Sequence, residues 1–530
     1  MGGPVVETHL WLEGRIFTGN RWCEALIVED GRVVFAGSAA EARRRRPAGT
    51  ETHRLRGRIV LPGLVDAHLH LADLTRAREG LDLAGAASLA ELGERLRRWA
   101  DRTPRGGLVG RGWDPERFSE RRWPTVRDVD AVVADRPVIL YHTSGHAALA
   151  NSAALESAGI GAATPDPKDG RIGRDADGEP NGLLFEGAMR SVGAIVAESS
   201  PLTPDGLVRT LRHAASFGLT TVATMNTSLE ELGALRAATA SRAPMVRVRS
   251  YLRISALERA YASPKGDPTR DPLRVIGLKA YTDGAFGPRT AWLSRPYADA
   301  PSESGLALGT EESLREPLDL GADRDLGPAL HAIGDRALER ALRLLDGRSG
   351  RTSAPPRVEH AALTPPDVWP TLDRVRPVLV VQPGFLWSDW WLGDRLGGER
   401  ARWAYAFRTL EDRGHLLAGS SDAPYDPLDP WRGIRAAVDR VDPSGRSANP
   451  AREEALGPEE AVGLYTRNGG RALGEPEIGT LEEGAPGDLV ILRATDRRSF
   501  VTEGAAGVLE TWMGGRRVHV ARSRGGTVKP

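Results

Sequence analysis

Apolar segments of strand length alternate with helical patterns through the middle of the chain, and this alternation constrains the fold more than any other feature. The eight segments are RIVLPGLVDAHLH (58–70), LTTVATM (219–225), MVRVRSYL (245–252), RVIGLKAY (274–281), PALHAIG (328–334), RVEHA (357–361), VLVVQP (378–383) and HLLAGSSD (415–422). Helical patterns such as DRALERALRLLDG (335–347) lie between them. Strands that alternate with helices favour a parallel sheet, and eight in succession are typical of a TIM-like (β/α)₈ barrel of the α/β class.

The two ends of the chain differ from the middle, because both contain short strand patterns with hairpin-type turns. Since chain termini are often close together, we expect residues 1–57 and 475–530 to form one composite β-sandwich. The barrel then takes residues 58–72 and 201–474. The stretch between its first two strands is too long for one crossover, so residues 73–200 form an insertion. This insertion is either a surface excursion or a lid over the barrel mouth.

Composition excludes several classes of protein. The formal net charge is zero and the isoelectric point is about 7.2, which argues against a nucleic-acid or anionic-membrane partner. The start shows no signal-peptide pattern, and no apolar stretch reaches the roughly 18 residues of a membrane helix. A single cysteine, Cys23, excludes an internal disulfide. We therefore expect a cytoplasmic enzyme, and leave open whether it forms a homodimer.

Histidines and one aspartate occur where several of the barrel segments end. His68 and His70 end the first segment, and residues two apart in a strand point to the same side, so both imidazoles can hold one divalent cation. His331, His360 and Asp422 end the fifth, sixth and eighth segments. A single strand histidine is more often part of the core, and an aspartate after GSS is more often a turn residue. Because catalytic groups of such barrels lie at the carboxyl ends of the strands, the combined pattern predicts a metal site there.

Lys279 lies in the apolar fourth segment of a chain that otherwise uses arginine for positive charge. The chain has four lysines, and the other three, Lys168, Lys265 and Lys529, lie in polar loops or at the terminus. An arginine stays protonated, whereas a buried lysine can become a neutral amine. A neutral amine can react with carbon dioxide to form a carbamate, an oxygen ligand able to bridge two metal ions. We therefore predict a carbamate on Lys279; the alternative is a structural lysine paired with a carboxylate such as Asp283.

Several motifs resemble the amidohydrolase superfamily, and PGLVDAHLH is similar to its opening motif. More specifically, the chain resembles the YtcJ-like branch, amidohydrolase family 3, which includes N-substituted formamide deformylases. Matching stretches include GRGWDPERF (110–118), RPVILYHTSGHAALANSAAL (136–155), GLKAYTDGAFGPRTAWLSRPY (277–297), HAIGDRAL (331–338) and GSSDAP (419–424). The HAIGDRA and DGAFGPRTA motifs are fairly specific to this branch, and together the matches cover most of the chain.

The resemblance implies a metal-dependent hydrolase with the ligands His68, His70, Lys279, His331, His360 and Asp422. The first two would bind the more buried of two metals, and the last two histidines would bind a second, with the lysine carbamate as the bridge. Asp422 would take the proton from the attacking water, and it is grouped with His331 and His360 as catalytic. The expected cation is Zn²⁺, with one or two per chain.

Substrate contacts are predicted in three stretches. His142 and His146 lie in YHTSGHAALAN, which the resemblance places near the pocket; the alternative is a strand-to-helix turn inside the insertion. Arg289 could bind a carboxylate or carbonyl oxygen, or form a surface ion pair. Trp113 and Asp283 complete the predicted contacts. The FLWSDWW stretch (385–391) follows the seventh segment, where aromatic walls would favour an apolar or aromatic substituent on the amide.

We therefore expect an amidohydrolase that cleaves the C–N bond of a small-molecule amide or N-substituted formamide. One alternative is a mononuclear deaminase or cyclic-amide hydrolase that uses only His68, His70, His331 and Asp422. Another is a non-catalytic barrel that serves as a binding or scaffold protein. The complete ligand set argues against the latter.

Overall fold

The computed structural model describes residues 7–197, 202–240, 245–259, 261–263, 266–267, 270–496 and 499–521. Lys265, Lys529 and the outermost residues of the predicted sandwich segments lie outside these ranges. No helix within these ranges is both long and apolar enough to cross a bilayer.

The predicted barrel is confirmed. Eight parallel strands within the described residues pair in chain order: Leu64–Leu69, Leu219–Thr227, Arg247–Arg253, Leu273–Tyr281, Gly327–Ala332, Arg357–His360, Val378–Val381 and Leu417–Gly419. Just beyond the last strand, the Asp422 amide donates to the His68 carbonyl at 2.8 Å, and the His70 amide donates to the Ala423 carbonyl at 2.8 Å. These bonds join the last strand to the first at the carboxyl end of the barrel.

The first predicted segment, 58–70, is two strands rather than one. Ile59–Pro62 pairs with strands from both ends of the chain, and Leu64–Leu69 begins the barrel. Gly63 separates them. A Cβ at this position would lie 2.4 Å from Thr220 Oγ1, so the change of sheet requires a residue without a side chain. The continuous apolar pattern concealed this break because both strands are buried on both faces.

Helices cover the outside of the barrel. They are Leu71–Glu79, Pro204–Ser216, Leu229–Ala240, Glu311–Asp323, Asp335–Leu345, Trp369–Val375, Phe385–Ser388, Leu392–Leu396, Gly398–Ala401, Phe407–Asp412, Pro430–Asp439, Pro458–Leu464 and Arg467–Ala472. Asp335–Leu345 shows why they form: its buried residues recur every three or four positions, and this apolar stripe packs on the sheet.

The insertion between the first two barrel strands has its own mixed sheet. Its strands, in spatial order, are Gly170–Arg174, Pro180–Glu186, Ala147–Ala150, Val138–His142, Leu108–Trp113 and Leu81–Asp82. Its helices are Leu89–Arg102, Val126–Asp130, Ser152–Ser157 and Met189–Ala197. The sheet buries a core of its own against the first two of these helices.

The composite sandwich is also confirmed. One sheet has the strands Arg32–Gly37, Ala25–Glu29, Thr8–Leu12 and Glu51–Arg54, with the helix Ala39–Arg45 beside it. The other joins both ends of the chain, with the strands Arg516–Val520, Val508–Met513, Leu489–Leu492, Ile59–Pro62, Arg15–Phe17 and Trp22–Cys23 and the helix Ser499–Glu503.

Buried ion pairs fix the C-terminal segment against the barrel. Arg249 and Arg274, on the third and fourth barrel strands, both donate to Glu475 at 2.6–2.9 Å. Arg247 likewise donates to Asp488, just before the sandwich strand Leu489–Leu492. A buried charge is costly unless it is paired, so these carboxylates hold the segment in one position.

Candidate metal centre

The six predicted ligands meet at the carboxyl end of the barrel. His68 Nε2 and His70 Nε2 lie 3.2 and 3.3 Å from the same oxygen, Asp422 Oδ1. The ring of His360 lies 5.1 Å from that of His68 and 4.5 Å from that of His331, centroid to centroid. Side chains from the ends of the first, fifth, sixth and eighth strands therefore lie together, and Lys279 of the fourth strand lines the same cavity.

Three of the four histidines are held by a partner at one ring nitrogen. His68 Nδ1 lies 2.5 Å from Glu359, His360 Nδ1 lies 2.7 Å from Gln382 Oε1, and His331 Nε2 lies 2.9 Å from the Gly284 carbonyl. Each partner is an acceptor, so each ring carries its proton there and leaves a lone pair on the other nitrogen. Histidines that bind metals have this arrangement, with the non-ligating N–H donated to a carboxylate or carbonyl.

Buried atoms without partners lie at the centre of the group. His68 Nε2, Lys279 Nζ and Asp422 Oδ1 are inaccessible to solvent and have no hydrogen-bond partner among the described residues. Buried polar atoms are almost always satisfied, so three unsatisfied atoms together need an explanation. A divalent cation satisfies the imidazole and the carboxylate at once. His68, His70 and Asp422 offer ligand atoms that all lie within 4.8 Å of one another, and this donor set suits Zn²⁺.

Burial sets the charge state of these groups. It lowers the pKa of His360 to about 3, so that ring is neutral and available as a ligand. Burial alone would raise the pKa of Asp422, but the neighbouring His68 and His70 hold it well below its ordinary value. A carboxylate that stays ionised beside neutral imidazoles favours a cation between them.

Lys279 is buried beneath the histidines. Its Nζ lies 4.9 Å from the ring centroid of Tyr281 and forms no ion pair within the described residues. Burial lowers its pKa to about 8, although Glu359 and Asp422 oppose this shift. The alternative partner, Asp283, is engaged elsewhere, as described below. A buried amine with a lowered pKa and no partner suits carbamate formation.

Glu359 is a functional residue that the sequence analysis missed. Besides holding His68, it accepts two hydrogen bonds from Arg357 at 2.5 and 2.8 Å, and both side chains are fully buried. Burial would raise the pKa of Glu359, but the Arg357 guanidinium and His68 hold it well below its ordinary value. The sequence signal that could have indicated Glu359 is its position next to the candidate ligand His360 in RVEHA.

The backbone at two ligands adopts the left-handed region. His360 has φ = 73° and Asp422 has φ = 57°, and neither is glycine. This conformation costs free energy for such residues and concentrates at functional sites. At His360 it ends the strand and turns the ring towards His68 and His331.

Two cavities meet at the ligands. The first, which we call the aromatic chamber, has a volume of about 390 Å³ and aromatic walls formed by Phe286, Phe385, Trp391 and Tyr405. The second is more polar, with a volume of about 570 Å³. His360 and Asp422 line both. A substrate in either cavity would therefore contact the same centre.

His142 and His146, from the insertion, do line the aromatic chamber. His146 Nδ1 lies 2.9 Å from Glu186, which raises its pKa against the effect of burial. His142 Nδ1 pairs with Ser144 Oγ at 2.8 Å, and burial lowers its pKa to about 3. His142 is thus a neutral group and His146 a potential cation beside the ligands.

Trp113 and Arg289, two of the predicted substrate contacts, do not line the aromatic chamber. Trp113 is fully buried in the core of the insertion, and its indole N–H donates to the Leu140 carbonyl at 2.7 Å. Its ring meets His142 edge-on, so it supports that histidine from behind. Arg289 pairs with Asp299 at 2.7 Å, the surface ion-pair alternative.

Asp283, another predicted substrate contact, is held by backbone amides. Its carboxylate accepts from the backbone amides of Trp292, Ile333 and Gly334 at 2.8–3.0 Å. It thereby fastens the loop after the fourth strand to the end of the fifth, next to His331. Burial raises its pKa to about 7 despite these donors.

A second group of possible ligands lies in the sandwich. His9, Glu51 and His53 offer atoms within 4.8 Å of one another on adjacent strands. Glu51 is exposed, and the two imidazoles already contact each other at 3.1 Å. Any metal count must distinguish this group from the barrel centre.

Comparison with known proteins gives one consistent result. The model of the Amidohydrolase family matches residues 52–519. YtcJ of Bacillus subtilis (strain 168), whose name classes it as an amidohydrolase, is 33% identical over 91% of this chain and 94% of its own. The N-substituted formamide deformylase of Arthrobacter pascens is 27% identical over 89% and 90%. A crystal structure of an uncharacterized metal-dependent hydrolase from Pyrococcus horikoshii superimposes with a TM-score of 0.74, at 31% identity, over 93% of this chain and 98% of that one.

Proposed function

Because this chain belongs to the amidohydrolase family, a family of hydrolases that act on carbon–nitrogen bonds, we propose that it cleaves the C–N bond of a small-molecule amide or N-substituted formamide. The observation that carries the proposal is the set of hydrogen bonds that the histidines make. His68, His331 and His360 each pair one ring nitrogen with an acceptor, which leaves the lone pair of the other nitrogen available to a metal. The likeness to the formamide deformylase supports this substrate class.

The residues His68, His70, His331, His360 and Asp422, with Lys279 as a carbamate, would hold a divalent metal, of which Zn²⁺ suits the donors best. When bound, such an ion acidifies water and polarises a carbonyl oxygen. The protein's own contribution is position and proton transfer. Asp422 Oδ1 is aimed at the centre and would accept the proton of the attacking water, then pass it to the leaving nitrogen.

The surroundings of the centre fit this chemistry. Glu359 and Gln382 keep the proton of their histidines on the nitrogen away from the centre, so the facing nitrogens stay free. The aromatic chamber excludes water from the leaving-group side and offers apolar contact to a substituent on nitrogen.

The test is a screen of metal-loaded protein against N-substituted formamides and acyl amides, with amine release as the readout. Asp422→Asn should keep the fold and the metal but lose about 10²-fold or more in kcat. Asp394→Asn, at an exposed aspartate, is the matched control and should be unchanged. Unchanged kcat in Asp422→Asn would exclude the role given to this carboxylate.

A second candidate is the mononuclear deaminase or cyclic-amide hydrolase. It is favoured by one observation: among the described histidines and acids of the barrel centre, His68, His70 and Asp422 form the group whose ligand atoms all lie within 4.8 Å of one another. Lys279→Ala separates the two candidates. It should abolish a bridged site and its turnover, whereas a mononuclear enzyme should keep both its metal and most of its rate.

A further inference from the structure

One carboxylate in the wall of the aromatic chamber has no charged partner. Asp389 Oδ2 accepts a hydrogen bond from the Tyr405 hydroxyl at 2.6 Å. Its Oδ1 has no donor, and no basic side chain lies within ion-pair distance, in the part of the chain that the structure describes. The residue lies between Phe385 and Trp391, away from the metal ligands in sequence.

Apart from the candidate ligand Asp422, the chamber has two other carboxylates, and both are compensated. Asp426 accepts from Ser388 and forms an ion pair with Arg432 at 3.1 Å. Asp114 lies 3.4 Å from Arg117 and accepts from the Glu116 amide at 3.0 Å. The basic groups of this wall are therefore already used, and Asp389 is left with one neutral donor.

Asp389 is only partly buried, so its uncompensated charge is accessible to a ligand that enters the chamber. An ionised carboxylate needs a counter-charge when water is scarce, and an anionic ligand would be repelled by Asp389 and by the neighbouring Asp426. Aromatic faces attract cations through their quadrupoles. The guanidinium of Arg395 already lies over Trp391, 4.9 Å from the ring centroid, so Phe385 and Tyr405 are the rings offered to a ligand. Together, carboxylate and rings are complementary to an organic cation that carries apolar groups.

We propose that the aromatic chamber is a subsite for a substituent bearing a protonated amine, with Asp389 as the residue that selects it. The chamber opens onto His360 and Asp422, so a substrate amide at the centre would place its nitrogen substituent against Phe385, Trp391 and Asp389. The inference rests on the proposed function for the orientation of the substrate. The affinity of the chamber for a cation does not depend on turnover.

The first experiment measures binding without catalysis. Metal-loaded protein is titrated calorimetrically at pH 8 with phenethylammonium chloride and, separately, with 2-phenylethanol, its neutral counterpart of similar size. We expect the ammonium to bind about tenfold tighter or more, as one charge-assisted contact in a low-dielectric site provides. Equal affinities in the native protein would overturn the inference without any variant.

The second experiment assigns the preference to Asp389. Asp389→Asn should bind both compounds equally, whereas Asp394→Asn, at an exposed position of the neighbouring helix, should keep the native preference. A preference that survives Asp389→Asn would also overturn the inference. Tyr405→Phe keeps the Asp389 carboxylate and should retain the preference for the ammonium over the alcohol. This variant is the one to measure if Asp389→Asn does not fold.

The third experiment separates this inference from the proposed function. The hydrolysis of formamides that carry an aminoethyl group on the nitrogen substituent is compared with that of their hydroxyethyl analogues. If neither is hydrolysed but the ammonium still binds selectively, the proposed function fails and the cation subsite stands. If both are hydrolysed with equal kcat/KM, the function stands and the subsite is refuted.

Discussion

Replacing Glu359 by glutamine tests whether this residue orients His68 for a metal in addition to stabilising the barrel. In the native protein this buried carboxylate accepts two hydrogen bonds from Arg357 and holds His68 Nδ1 at 2.5 Å. A glutamine has one acceptor oxygen, so either Arg357 or His68 would face an NH₂ group. Removing one charged partner of a buried ion pair lowers the free energy of unfolding by about 3–5 kcal/mol. Loss of the partner behind a metal ligand weakens metal affinity about 10- to 100-fold.

Glu475→Gln is the matched control for this substitution. Glu475 is also buried and also accepts from two arginines, Arg249 and Arg274, but it contacts no histidine in the described structure. Urea unfolding should show a similar loss of stability in both variants. Competition with a chromophoric chelator should show weakened zinc binding only in Glu359→Gln. If the two variants bind zinc equally well, Glu359 stabilises the barrel but does not orient His68.

Further predictions concern the fold, the charge of the chamber and the metal. Gly63→Ala should lower the free energy of unfolding by about 1–3 kcal/mol, because its Cβ would overlap Thr220. Gly233→Ala, with open space around it, should be neutral or stabilising. Equal midpoints of urea unfolding in the two variants would contradict this prediction. Burial raises the pKa of Asp389 from 3.8 to about 7, so the folded state keeps a proton that the unfolded state releases, and its contribution to stability falls as the pH rises from about 4 to 7. Asp389→Asn should therefore gain stability relative to the native protein between pH 5 and pH 8, and a constant difference would refute the assignment. Removal of metal with a chelator should lower Tm, and added zinc should restore it. The change in Tm should be the same in the native protein and in His53→Ala. A change seen only in the native protein would instead place the stabilising metal in the sandwich.

The sequence predicts the barrel and its ligands because both depend on local periodicity. His68 and His70 lie two residues apart in a strand, and this spacing alone places them on one side. Glu359 escaped the same reasoning, because adjacent strand residues should point to opposite sides. The left-handed backbone of His360 breaks this alternation and allows both side chains to approach His68.

Three predicted substrate contacts have protein partners in the structure that the sequence did not indicate. Whether Trp113 faces the barrel or the core of the insertion depends on how the insertion's sheet packs, which no local pattern encodes. The partners of Asp283 are backbone amides, and a sequence cannot indicate such partners because amides are present at every position except proline. Arg289 forms an ion pair with Asp299 on the same loop. Composition alone cannot show whether an arginine pairs with such an acid or contacts a ligand.

The backbone bonds that join the last barrel strand to the first also set the order in which the chain can mature. Asp66 accepts from the Ser421 amide at 3.1 Å, and the bonds of Asp422 and Ala423 to the first strand complete the junction. During synthesis, His68 and His70 leave the ribosome early, while Asp422 follows only after most of the chain has been translated. A nascent chain therefore has two histidines but no closing carboxylate. The proposed metal site is complete only when the barrel closes, so its full ligand set marks a completed fold.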